Sequence, residues 1–156
     1  MCAERRSRAR RAALVAGVAL LATARVGADA PAGRYELTPP VVSDTATGLT
    51  WMMAVPTTGG DDGAGGYAWA NAGAYCPTVG AGWRLPTLKE LLTLVDVSSS
   101  AGPTIDGAAF PDTPAEGFWS STRYAGTTNT AWFVTFGYGG TGNDFVTHMY
   151  RVRCVR

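Results

Sequence analysis

The chain has a single histidine, His148, and few groups arranged for covalent chemistry. A general base needs a positioned partner and a nucleophile within reach. The serines of Ser98-Ser99-Ser100 and Ser120-Ser121 do not sit in the Gly-x-Ser-x-Gly setting that presents a nucleophile at a sharp turn. No grouping of nucleophile, base and orienting residue is visible, so an enzyme is not expected. Zinc-type spacing of Cys and His is missing. Asp61-Asp62 and Asn143-Asp144 offer oxygen atoms. Calcium takes about six to eight oxygens, more than either pair supplies. Neither a metal nor a cofactor is expected.

Binding chemistry is better represented. Arg123, Arg151, Arg153 and Arg156 could form a cationic patch, since Arg151 and Arg153 fall on one face of an extended segment. Tyr124 and Tyr138 lie in expected loops, where an aromatic ring is free to make contacts. The candidate ligand-binding residues are therefore Arg123, Tyr124, Tyr138, Asn143, Asp144, Arg151 and Arg153. Trp51, Trp69, Trp83, Trp119 and Trp132 lie in or beside expected elements, where aromatic side chains fill cores.

The first thirty residues do not resemble part of a fold. Five arginines precede position 12, an apolar run of 13 residues follows, and small residues close the segment near Ala28 and Ala30. Basic head, short apolar middle and small-residue exit describe a secretory signal peptide. The run is short of the roughly 20 residues that span a bilayer. An exported protein is expected (periplasmic, surface-bound or secreted), with no transmembrane segment in the mature chain; an uncleaved anchor is the alternative. From Pro31 onward, seven basic and ten acidic side chains leave a net charge of −3. That balance opposes nucleic-acid binding, which relies on clustered Lys and Arg.

Beyond the leader two cysteines remain, Cys76 and Cys154. An even number in an oxidising compartment points to a disulfide, with two free buried thiols as the alternative. A loop of that length predicts a stabilisation of about 4 kcal/mol.

The elements that must position these residues follow from pattern. Residues 31–43 form a Pro-rich lead in which residues 34–37 could add an edge strand before Pro39-Pro40 stops it. A strand is expected over residues 49–54, and a Gly/Asp-rich surface loop over residues 57–66. Trp69, Ala72 and Cys76 repeat at helical spacing, predicting a helix over residues 67–76. Thr87 and Glu90 have capping-box spacing, predicting a second helix over residues 88–95. Residues 98–117 form a long irregular connection pinned by Ile105 and Phe110. Strands are expected over residues 118–122, 130–136, 144–148 and 150–155, with residues 137–142 as a flexible hairpin connection. Two short helices, long irregular loops and a late antiparallel sheet make an α+β fold.

Read in order, several motifs carry a resemblance. They are Asp44-x-x-Thr47-Gly48-Leu49-x-Trp51, Trp69-Ala70-x-Ala72-x-Ala74-Tyr75-Cys76, and Gly82-Trp83-Arg84-Leu85-Pro86-Thr87-x-x-Glu90-Leu91. Phe110-Pro111-x-Thr113-Pro114, Phe118-Trp119-Ser120-Ser121-Thr122, Ala131-Trp132 and Tyr150-x-Val152-Arg153-Cys154-Val155 complete them. Residues 44–156 resemble the Lcl C-terminal domain family, found in exported bacterial proteins that include collagen-like adhesins. More distantly, the Tyr75-Cys76 helix, Arg84-Leu85-Pro86-Thr87 and the Val152-Arg153-Cys154 ending are similar to formylglycine-generating enzymes. That likeness implies a C-type-lectin-like fold. It does not bring the enzyme's activity, which uses active-site cysteines beyond the pair present here. Sugar-binding C-type lectins carry Trp-Asn-Asp; here Gly142 stands in place of the Trp. The resemblance implies an exported binding or adhesion module whose partner is a glycan, sulfated glycans included, or a cell-surface protein. A structural or assembly role in the envelope is the alternative.

Overall fold

A computed structural model describes residues 31–99 and 102–156, so the expected signal peptide lies outside the described residues. The architecture is α+β, with two short helices and two three-stranded antiparallel sheets.

The first sheet is formed by β1 (Tyr35–Thr38), β2 (Val41–Asp44) and β3 (Leu49–Met52), in that order. The Pro-rich lead therefore holds two strands where the sequence suggested at most one. Pro39-Pro40 occupies the turn between β1 and β2, where the missing N–H groups are not needed for pairing. At the β2–β3 turn, the N–H of Gly48 donates to the Asp44 carbonyl at 2.8 Å with φ at 72°. The buried Asp44 carboxylate accepts two bonds from Arg34, at 3.1 and 2.8 Å, and one from the Ala46 N–H.

Helix α1 (Trp69–Val79) begins two residues later than its pattern predicts and continues past Pro77. Its inner face is as expected: Ala72 and Cys76 are fully buried. Helix α2 (Leu88–Leu92) is capped as its spacing predicts, with Thr87 and Glu90 each accepting from the other's backbone N–H. It ends three residues early, because the N–H groups of Leu94 and Val95 turn back to the third preceding carbonyl.

The second sheet comprises β4 (Gly117–Arg123), β5 (Thr130–Thr135) and β6 (Gly140–Phe145), also in sequence order. Here the expected boundaries shift. Residues 140–142, assigned to a flexible connection, are in β6, and the strand ends at Phe145 rather than His148. Glycines weaken a strand on propensity alone. Here they make space for rings. A Cβ on Gly142 would stand 2.6 Å from the Phe133 ring, and one on Gly117 would stand 2.4 Å from the Tyr150 ring. Those two rings stack on each other with centroids 4.5 Å apart.

The last segment is not a strand of the second sheet. Residues 150–156 run extended between the sheets and stitch them together. Tyr150 pairs with Tyr67, and the Arg151 N–H donates to the Gly117 carbonyl. Cys154 accepts from Met52, and Val155 exchanges bonds with Arg84. Cys76 and Cys154 are disulfide-bonded with Cα atoms 5.5 Å apart, tying α1 to this segment.

The second sheet separates two cores. One of its faces sends Phe118 and Val134 into a cluster with Val42, Trp51, Leu91 and Phe110. Trp119 and Ala131 on the other face join Ala72, Cys76, Leu85, Val152 and Cys154. As expected, Ile105 and Phe110 are buried and pin the irregular connection to the first cluster. No helix among the described residues is long and apolar enough to cross a membrane.

Candidate functional site

Strand alternation decides which candidate residues meet. Cross-strand partners share a face of the sheet, and the next residue along faces the other way. Arg123 pairs with Ala131, which pairs with Asp144. Arg123 and Asp144 therefore stand on the face that carries the second core. Trp132 pairs with Asn143, and Thr130 pairs with Phe145. Those four stand on the opposite face.

On the second-core side the charges are already engaged. The Arg123 guanidinium lies 4.3 Å from the centroid of the Trp69 ring and donates to the Thr128 carbonyl at 2.8 Å. Asp144 accepts from the Tyr150 hydroxyl at 2.9 Å and the Phe145 N–H at 2.8 Å, and pairs with His148 Nδ1 at 2.7 Å. Burial raises the Asp144 pKa, but these hydrogen bonds outweigh it and hold the carboxyl below its ordinary value. Burial, and then the bond to Asp144, push Tyr150 up to about 12. An Asp-oriented imidazole is half of a catalytic arrangement. Among the described residues no serine, threonine or cysteine side chain is hydrogen-bonded to His148.

The expected cationic patch does not assemble. Arg153 is buried, with 1 % of its surface exposed. It donates to the carbonyls of Met52 and Met53 and to Thr113 Oγ1, at 2.7, 2.8 and 2.7 Å. The Phe110 ring centroid lies 4.7 Å from its guanidinium carbon. Desolvation pushes Arg153 down to about 9, which still leaves it charged at neutral pH. It belongs to the interior because residues 152–155 are enclosed between two cores, so both faces of that stretch are covered. Arg151 pairs with Glu116 at 2.8 Å and donates to the Ala64 carbonyl, anchoring the Gly/Asp-rich loop. Arg156 lies over the Trp83 ring at 4.8 Å. Tyr138 is exposed, but it occupies the β5–β6 turn at the far end of the sheet from Tyr124.

Tyr124 and Asn143 are the two candidates that share a surface. Tyr124 follows β4, and its N–H donates to the Thr130 carbonyl. Its ring meets Trp132 edge-on with centroids 5.3 Å apart. Trp132 was expected in the core, but it is half-buried: on its strand face Val134 and Phe136 are buried, Phe145 is 51 % exposed, and Thr130 at the end is buried against Thr127. The face runs on past the cover that Leu91 of α2 provides. A hollow of about 420 Å³ lies over the adjoining turn, lined by Arg123, Tyr124, Ala125, Gly126, Thr127 and Thr128. Trp132, Thr128 and Phe145 were missed as candidates. The period-two run Thr130, Trp132, Val134, Phe136 was legible, but not where the covering helix stops.

A larger groove, about 520 Å³, lies between the Pro39-Pro40 turn and α1. Val41, Met52, Val79 and Trp83 line it, and Arg156 supplies its one charge. It lacks converging polar groups, and Trp83 is 7 % exposed.

The Lcl C-terminal domain model matches residues 40–156, from the β1–β2 turn to the last residue. The chain belongs to the Lcl C-terminal domain family. No curated protein matches it. In this Lcl C-terminal domain, the Arg84-Leu85-Pro86-Thr87-x-x-Glu90 motif is structural. Arg84 donates two bonds to Glu90, at 2.8 and 2.7 Å, while Glu90 also caps α2. The arginine bonds, then the cap, bring Glu90 down to about 2.

Proposed function

We propose that this Lcl C-terminal domain is an exported ligand-binding module on a C-type-lectin-like scaffold. Its ligand rests on the uncovered end of the second sheet, around Tyr124, Trp132 and Asn143. One observation carries the reading: a strand face that serves as core at Val134 and Phe136 continues to a half-buried Trp132 and an exposed, unpartnered Asn143 amide, with the Tyr124 ring beside a hollow. Rigid sheets that present side chains beside a loop are common places for recognition. Export is supported by the basic and apolar leader and by the disulfide, which persists in oxidising compartments. The two-helix and late-sheet order, with a long irregular segment between, supports the lectin-like scaffold.

The test is a screen of the immobilised full chain against glycans and cell-surface proteins. A specific ligand is expected, with its retention lost in Tyr124→Ala. A screen that retains nothing specific, or retention that Tyr124→Ala leaves intact, would refute the reading.

A further inference from the structure

We infer that the surface formed by Tyr124, Trp132, Phe145, Thr128, Asn129 and Asn143 binds an uncharged saccharide. The inference rests on the binding-module reading above and names the chemistry of its ligand.

The charges decide it. A sulfated or uronic sugar needs free cations facing the site. Arg123 lines the hollow, where its guanidinium is already engaged by the Trp69 ring and the Thr128 carbonyl. Arg151 is paired with Glu116 across the chain, and Arg153 is buried in the first core. Asp144, beside Asn143 in the chain, stands on the other face and is held by His148 and Tyr150. A cationic ligand therefore finds no free anion there either.

What faces outward is neutral and amphipathic. The amides of Asn129 and Asn143 and the hydroxyl of Thr128 make no hydrogen bond within the described chain. Amides and hydroxyls donate and accept together, as sugar hydroxyls do. The rings of Tyr124, Trp132 and Phe145 add flat apolar surface, which suits the C–H face of a pyranose. Trp132 and Asn143 are cross-strand partners, so the ring and the amide stand side by side on the same face. One ring face and one hydrogen-bonding edge of a sugar are thereby addressed together. The adjoining hollow, about 420 Å³ and open to solvent, extends this surface past Tyr124 to Thr128.

The test titrates the full chain with neutral gluco-, manno-, galacto- and N-acetylglucosamine hexasaccharides and with a heparin hexasaccharide. Calorimetry and tryptophan fluorescence report binding. At least one neutral sugar is expected to bind and change the fluorescence, with affinity moving less than about twofold over a tenfold rise in salt. Asn143→Ala, an exposed change that spares the core, is expected to weaken it about tenfold. Trp132→Phe, which keeps a ring in place, is expected to weaken it and remove the fluorescence change. Preference for heparin with steep salt dependence would overturn the inference while leaving the binding module standing. So would binding that neither variant alters, or a protein ligand with no sugar bound. If no ligand of any class is retained in the wider screen, the underlying reading fails along with it.

Discussion

Asn143 and Asp144 are consecutive in the chain and stand on opposite faces of the β4–β5–β6 sheet. Asn143 pairs with Trp132 on the uncovered face, and Asp144 pairs with Ala131 over the second core. The two cannot close on one cation while β6 stays a strand. Their spacing, which suggested shared oxygen ligands, instead divides them between the two faces of the sheet.

The glycines that make room for the Phe133 and Tyr150 rings should be intolerant of side chains. A Cβ at Gly117 would stand 2.4 Å from Tyr150 and 3.3 Å from Phe133, two rings already stacked on each other. Gly117→Ala is expected to lower stability by about 1–3 kcal/mol, the usual cost of overpacking. Chemical denaturation would measure it. Gly73→Ala, where nothing lies within 4 Å of the added carbon, should be neutral or stabilising.

Arg153 should behave as a buried cation and not as a ligand contact. Arg153→Ala leaves the part-buried Met52 and Met53 carbonyls and the buried Thr113 hydroxyl without their donor and opens a cavity, so a loss of about 3–5 kcal/mol is expected. Arg153→Met, which refills the volume beside Phe110, should lose less. Urea unfolding of both variants gives the comparison.

Reduction of Cys76–Cys154 should destabilise the fold without moving the uncovered sheet face. The bridge closes a separation of 78 residues, for which chain entropy predicts about 4 kcal/mol. Both sulfurs belong to fully buried residues, so reductant should act slowly on the folded chain. Intact mass should rise by two hydrogen atoms on reduction under denaturing conditions, and the melting temperature should fall.

Acid should weaken the α2 cap. Glu90 drops from 4.5 to about 2 in the fold, chiefly through Arg84. Its folded value is depressed, so its contribution is complete above 4.5 and is lost as pH falls towards 2. The Arg84 side chain is 46 % exposed, so solvent keeps the effect modest. Melting temperatures over that window should fall less steeply in Glu90→Gln than in the parent chain.

Local chemistry was legible in the sequence wherever one segment carried its own signal. The Thr87–Glu90 cap, the inner face of α1 and the anchoring of Ile105 and Phe110 follow from spacing and apolarity. The strand at Gly140–Phe145 was obscured because Gly142 answers to the Phe133 ring across the strand pair and Gly140 to the Tyr138 ring of the preceding turn, neither of which strand propensity registers. Arg153 was misplaced for a related reason. Alternation put it opposite Val152 and Cys154 but could not show that a second core lies on that side. Trp132 was assigned to the core because nothing local marks where α2 ceases to cover β5.

The most direct test maps a bound neutral oligosaccharide onto the backbone by amide chemical shifts. Perturbations should cluster at residues 124–130 and 141–145 and spare the groove around Trp83. Shifts confined to Pro39-Pro40, Val79 and Trp83, with Tyr124 and Asn143 unmoved, would contradict the assignment of the site.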